Sequence, residues 1–157
     1  MKYSPATDPG GTSMATDSMG RGWADVLAEI PLFAGLSKRQ LNKIAKLAKT
    51  RRYARFTPIV RAGDRGDSFY VILDGTALVK LPGKRGVRLG AGDWFGEMAL
   101  IDAAPRAATV EAQTDVFAML LGRNAFLKTV QDEPKIAIAL LQTMAERLRA
   151  SERSASH

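Results

Sequence analysis

The sequence contains no cysteine, and its single histidine is the last residue, His157. Disulfides are therefore excluded, as are zinc sites built on Cys and His. No Cys is available as a nucleophile and no internal His as a general base. A Ser-His-Asp triad would have to recruit the chain terminus. Long apolar runs are also missing. Charge or Gly interrupts each one well short of the ~20 residues a membrane span requires, and the N-terminus has no apolar core of a secretory signal. These absences fit a cytoplasmic, non-enzymatic protein.

What remains is a chain of 157 residues, 46% hydrophobic, with 23 Lys and Arg against 16 Asp and Glu, a net +7. That is enough apolar material for one core. The charge is unevenly placed. Residues 38–61 hold nine basic residues and no acidic one, leaving 14 basic against 16 acidic elsewhere. Such a run reads first as a solvated face, then as a docking face for nucleic acid or an acidic protein. It has no recognition motif and only Tyr53 interleaved, which argues against sequence-specific DNA reading.

Residues 1–22 are rich in Ser, Thr, Gly, Pro and Asp with no apolar period, and are expected to be disordered. A domain is expected over 23–150, and a short tail over 151–157. Trp23, Val26, Leu27 and Ile30 share one helical face. Ser37 and Gln40 have capping-box spacing, opening a helix with Leu41, Ile44, Leu47 and Ala48 inward and Lys38, Arg39, Lys43, Lys46 and Lys49 outward. From Tyr53 to Leu121 short strands recur, bounded by turn signals such as Gly63-Asp64, Asp74-Gly75 and Pro82-Gly83. This texture predicts an antiparallel β-roll, a jelly-roll-like barrel in an α+β fold. Pro134 opens a long C-terminal helix with Ile136, Leu140, Leu141, Met144 and Leu148 as its apolar stripe.

One stretch interrupts the strand pattern: Phe95-Gly96-Glu97-Met98-Ala99-Leu100-Ile101-Asp102-Ala103-Ala104-Pro105-Arg106-Ala107-Ala108-Thr109-Val110. Gly96 permits close approach of the backbone to a ligand. Residues 97–101 can form one helical turn with free N–H groups suited to an anion. Arg106 brings a rigid fork of donors that fits phosphate. Glu97 beside a phosphate is costly unless the ligand also carries a hydroxyl to donate. Phosphate plus sugar hydroxyl describes a nucleotide.

This segment resembles the phosphate-binding cassette of cyclic-nucleotide-binding domains, of the type found in protein kinase A regulatory subunits and bacterial catabolite activator proteins. The run from Gly63 to Gly75 and the Pro31-Leu32-Phe33 elbow are similar to the same family. The resemblance implies a ligand-binding set of Gly96, Glu97, Met98, Ala99, Arg106, Ala107 and Ala108. In it Arg106 takes the cyclic phosphate and Glu97 the ribose hydroxyl, while the amides of Ala99 and Ala107 complete the cradle. A Thr hydroxyl follows the Arg in many cGMP-selective relatives. Ala107 stands there instead, favouring cAMP over cGMP. Arg147, Leu148 and Ser151 become candidate contacts to the base, carried by a C-terminal helix that closes as a lid. Neither a metal nor a cofactor is implied, and the output would pass to an unidentified effector protein. Only eight residues follow Arg149, so the reading is a stand-alone sensor. The competing reading is an adaptor working through residues 38–61 with a silent pocket.

Overall fold

The computed structural model describes residues 22–155. The expected disordered tail, apart from Gly22, lies outside that range, as does His157. Two helices open the fold, α1 (Trp23–Ala28) and α2 (Lys38–Ala45), with a 3₁₀ turn at Pro31–Phe33 between them. Eight strands follow: β1 (Lys49–Tyr53), β2 (Pro58–Val60), β3 (Ser68–Asp74), β4 (Ala77–Lys80), β5 (Val87–Leu89), β6 (Trp94–Phe95), β7 (Thr109–Ala112) and β8 (Val116–Gly122). A second 3₁₀ turn, Glu97–Leu100, lies between β6 and β7. Helices α3 (Arg123–Asp132) and α4 (Pro134–Ala155) close the chain.

The strands form two antiparallel sheets in the orders β1-β8-β3-β6 and β2-β7-β4-β5. The expected β-roll with flanking helices is therefore the observed architecture. β3 and β8 are buried on both faces. Phe69, Val71 and Leu73, with Phe117, Met119 and Leu121, pack against the helices. Tyr70 and Ile72, with Val116, Ala118 and Leu120, point into the roll against Ile59, Ala77, Val110 and Ala112. Full burial of each large side chain contributes about 1.5–3 kcal/mol. That explains why both strands read as continuous apolar runs instead of alternating ones.

Phe33 is the pivot of the helical side. Its ring meets Phe69 edge-on at 6.2 Å and Phe126 at 6.1 Å, and all three side chains are fully buried. Gly35 lets α4 approach the first 3₁₀ turn, since a Cβ there would lie 2.8 Å from Thr143 Oγ1. Thr143 belongs to the packed first half of α4, with Ile136 and Leu140. From Ala145 to Arg153 every residue of α4 is exposed.

Helix α2 has the expected capping box: Gln40 N–H donates to Ser37 Oγ, and Ser37 N–H to Gln40 Oε1. It ends earlier than expected. Lys46 caps it, and Lys49 belongs to β1. No apolar alternation marks β1, because it is an edge strand carrying Arg51 and Arg52. Hydrogen bonding to β8, from Lys49 opposite Leu120 to Tyr53 opposite Val116, makes it a strand. Residues 151–155, read from sequence as tail, continue the helix. Glu133, between α3 and α4, pairs with Arg39 and, at 3.8 Å, with Lys43, both from α2. Among the described residues, no helix is long and apolar enough to cross a membrane.

Candidate functional site

A cavity of about 340 Å³ opens into the roll. The 95–110 segment forms much of its wall: Phe95, Gly96, Glu97, Met98, Ala99, Asp102, Ala104, Pro105, Arg106, Ala107, Ala108 and Val110. All seven residues of the expected ligand set are therefore on one wall. Val60 and Val79 face them from β2 and β4, and Gly66 from the loop before β3.

Arg106 is built in from both ends. Its backbone N–H donates to Asp64 O at 2.7 Å, and its carbonyl accepts from Gly63 N–H at 2.8 Å. Gly66 N–H donates to Ala104 O at 3.1 Å, and Arg65 bridges to Pro105. The 63–66 loop, distant in sequence, thus grips the 104–106 segment. Its guanidinium Nη2 donates to Ser68 O at 2.7 Å. The guanidinium carbon lies 5.8 Å from the Tyr70 ring, which stacks on Phe95 at 4.8 Å. Burial pushes the Tyr70 hydroxyl up to about 12, with neighbouring Tyr53 adding to the effect, so Tyr70 stays neutral beneath the cation.

Gly96 serves this arrangement directly. It has φ 81°, a left-handed conformation that suits glycine. A Cβ there would lie 2.5 Å from Arg106 Nη1 and 3.1 Å from Ser68 O. Sequence reasoning assigned Gly96 to close approach of a ligand, and the structure shows it accommodating Arg106. Gly66 plays a parallel part that sequence reasoning missed: its Cβ would sit 3.2 Å from Arg106 Nε.

Electrostatics distinguish this wall from ordinary surface. Among the described residues, neither Arg106 nor Glu97 has an ion-pair partner. Both side chains are half-buried and line the same cavity. A half-buried guanidinium held by a neutral carbonyl retains its full charge and favours an anion. Among the described residues there is no cluster of side chains able to hold a metal ion.

Other expectations fare differently. Ala99 N–H donates to Gly96 O within the 3₁₀ turn, so that amide is already engaged. Arg147, Leu148 and Ser151 are exposed on the second half of α4, and none lines the cavity. The structure does not bring the candidate base contacts to the site. The reason is packing: α4 is anchored by Ile136, Leu140 and Thr143, upstream of all three. The wall residues Val60, Val79 and Val110 were not singled out from sequence, although inward alternation in their strands is a usable signal.

A family model, "Cyclic nucleotide-binding domain", matches residues 50–133. The chain belongs to this family. The cyclic-nucleotide-binding domain is similar to a cAMP-dependent protein kinase regulatory subunit of Colletotrichum orbiculare. Identity is 41% over 114 residues, covering 71% of this chain and 29% of the relative. It is also similar to a cyclic nucleotide-gated potassium channel of Rhizobium etli, with 37% identity over 127 residues, 81% of this chain and 35% of the relative. The domain thus spans about a third or less of these curated relatives. Among solved structures, it matches the N-terminal domain of a transcriptional regulator from Streptomyces coelicolor. There the TM-score is 0.71 with 33% identity, covering 83% of this chain and 95% of the other. The regulatory domain of Toxoplasma gondii PKA, crystallised with cAMP, matches with a TM-score of 0.60 and 28% identity, covering 79% and 49%.

Proposed function

We propose that this domain is a cyclic nucleotide sensor preferring cAMP over cGMP, with no catalytic activity of its own. The observation that carries the reading is Arg106: half-buried, without a carboxylate partner among the described residues, and fixed by Ser68 O on the wall of a cavity. Arg106 takes the exocyclic oxygens of the cyclic phosphate. Glu97, on the same wall, accepts from the ribose 2′-hydroxyl, which relieves its own need for a donor. Gly96, Met98, Ala99, Ala107 and Ala108 surround the sugar and phosphate. The relatives named for cAMP and for cyclic nucleotide gating support the ligand class. Ala107 offers no hydroxyl to a guanine, which supports the preference.

Binding is coupled to α4. Its exposed second half swings toward the cavity when ligand fills it, bringing Arg147, Leu148 and Ser151 to the base. Leu148 is 62% exposed, so covering the ligand also covers it. Ligand shifts the equilibrium only by its differential affinity for the closed state. The closed helix then offers a changed surface to a cytoplasmic effector protein.

Calorimetric titration with cAMP and cGMP tests the reading on wild type, Arg106→Ala and Glu97→Ala. Wild type should bind cAMP more tightly than cGMP. Loss of a charge-assisted pair is expected to weaken Arg106→Ala by about 100-fold, and cAMP should be recovered chemically unchanged. Wild type binding neither nucleotide, or Arg106→Ala binding like wild type, overturns the proposal.

A further inference from the structure

We propose that the corner at Phe56, together with the edge strand leading into it, docks this protein onto an anionic lipid surface. Two observations support this, one along the strand and one at the corner.

The first is charge. Of the basic residues between 38 and 61, Arg39 and Lys43 are engaged by Glu133. Lys46, Lys49 and Arg51 are exposed and, among the described residues, have no ion-pair partner. Lys49 and Arg51 lie on β1, the outermost strand of its sheet. Charged side chains blunt edge strands against aggregation, so this feature alone points to no ligand.

The second is Phe56. It is the one non-glycine residue among those described with positive φ, at 68°. The left-handed region disfavours a bulky side chain, and glycine would be free of that cost. The neighbouring backbone fixes the conformation. Phe56 N–H donates to Ala112 O at 2.7 Å, Ala112 N–H to Thr57 O at 2.9 Å, and Arg55 N–H to Asp115 Oδ1 at 2.9 Å. The ring receives no core packing in return. It is 62% exposed, with the Arg55 guanidinium 4.6 Å from its centre. A backbone outlier that holds an aromatic ring in solvent beside a guanidinium is a feature that a covering surface would use.

The cover must offer negative charge with apolar material beneath it. An anionic bilayer supplies both, headgroups for the cations and an interfacial layer for the ring. A nucleic acid supplies charge, but holding successive bases needs more than the one stacking ring that Phe56 provides. Tyr53, the other aromatic of this segment, packs against the interior of the roll with its hydroxyl buried. A folded acidic partner needs a matched pocket for Phe56, whereas a fluid interface needs none. This surface is independent of Arg106 and of any nucleotide.

The test is co-sedimentation of the full chain with vesicles of phosphatidylcholine and phosphatidylserine, and with vesicles of phosphatidylcholine alone. Binding is expected on the anionic vesicles only, weakening as salt rises. Each cation at such a surface is worth about fivefold in partitioning. The double substitution Lys49→Glu, Arg51→Glu should therefore reduce binding by at least about 25-fold. Phe56→Gly should reduce it about tenfold while leaving the melting temperature unchanged or raised, because the strain is removed. Phe56→Trp should show a blue shift in emission on anionic vesicles. Equal partitioning onto both vesicle types, no partitioning, or Phe56→Gly binding like wild type overturns the proposal. So does tighter binding to a DNA oligonucleotide at the same salt, which reassigns the surface to nucleic acid.

Discussion

Comparison of Gly96→Ala with Gly92→Ala isolates the approach of Arg106 to the backbone of residue 96. Both glycines have positive φ, 81° and 92°. Among the described residues, an added Cβ at Gly92 meets nothing within 4 Å, whereas at Gly96 it lies 2.5 Å from Arg106 Nη1. Gly92→Ala therefore carries only the left-handed backbone cost, about 1 kcal/mol. Gly96→Ala carries the same cost plus displacement of the guanidinium. The side chain can swing aside, but only by leaving Ser68 O, and that carbonyl itself lies 3.1 Å from the new Cβ. Loss of a hydrogen bond to a charged group adds about 1.5–3 kcal/mol. At roughly 3 °C per kcal/mol, Gly92→Ala should melt about 3 °C below wild type and Gly96→Ala about 8–12 °C below. Calorimetry should show cAMP affinity nearly unchanged in Gly92→Ala and about 10- to 100-fold weaker in Gly96→Ala. If the two variants melt together and both bind as wild type does, Arg106 is not packed against residue 96 and the account of the site is wrong.

Three further outcomes are expected. Tyr70 loses its proton near pH 10 when unfolded but only near about 12 when folded, so its contribution to stability is complete below pH 10 and is lost as pH rises toward 12. Denaturant midpoints of wild type and Tyr70→Phe should accordingly converge or cross over that interval, and a constant offset would contradict it. Phe126→Ala, which empties a fully buried site against Phe33, should cost about 3–5 kcal/mol in urea unfolding. Glu133→Gln removes the carboxylate facing Arg39 and Lys43, whose side chains are 67% and 44% exposed. The change should cost under about 1 kcal/mol, and the difference from wild type should shrink in high salt.

Much of this was legible in the sequence because the signals were local. The capping box needed only Ser37 and Gln40. The hairpin between β3 and β4 needed Asp74-Gly75, and the cavity wall needed the spacing of Gly96, Glu97 and Arg106. Features that depend on distant partners were not legible. β1 carries no apolar alternation, and its pairing with β8 connects residues about 70 positions apart. β6 has two residues, too few for any period. Ser68 acts on Arg106 through its carbonyl, which every residue possesses, so no side-chain pattern could reveal it. The placement of Arg147, Leu148 and Ser151 depends on where α4 is anchored, and helical periodicity does not specify that.

The two-sided burial of β3 also bears on how its register is chosen. Where one face of a strand is polar, a slip of one residue exposes the apolar set and is rejected on that ground. From Phe69 to Leu73 every side chain is buried, so a slip would exchange one apolar set for another. Polarity alone then discriminates little, and the strand ends contribute. At one end, Gly75 is held so closely that a Cβ would lie 2.2 Å from Asp115 O. At the other, Arg123 N–H donates to Asp67 O at 2.8 Å. These two small fittings act together with the side-chain packing, such as the Tyr70 ring stacked on Phe95, to present the Ser68 carbonyl to Arg106.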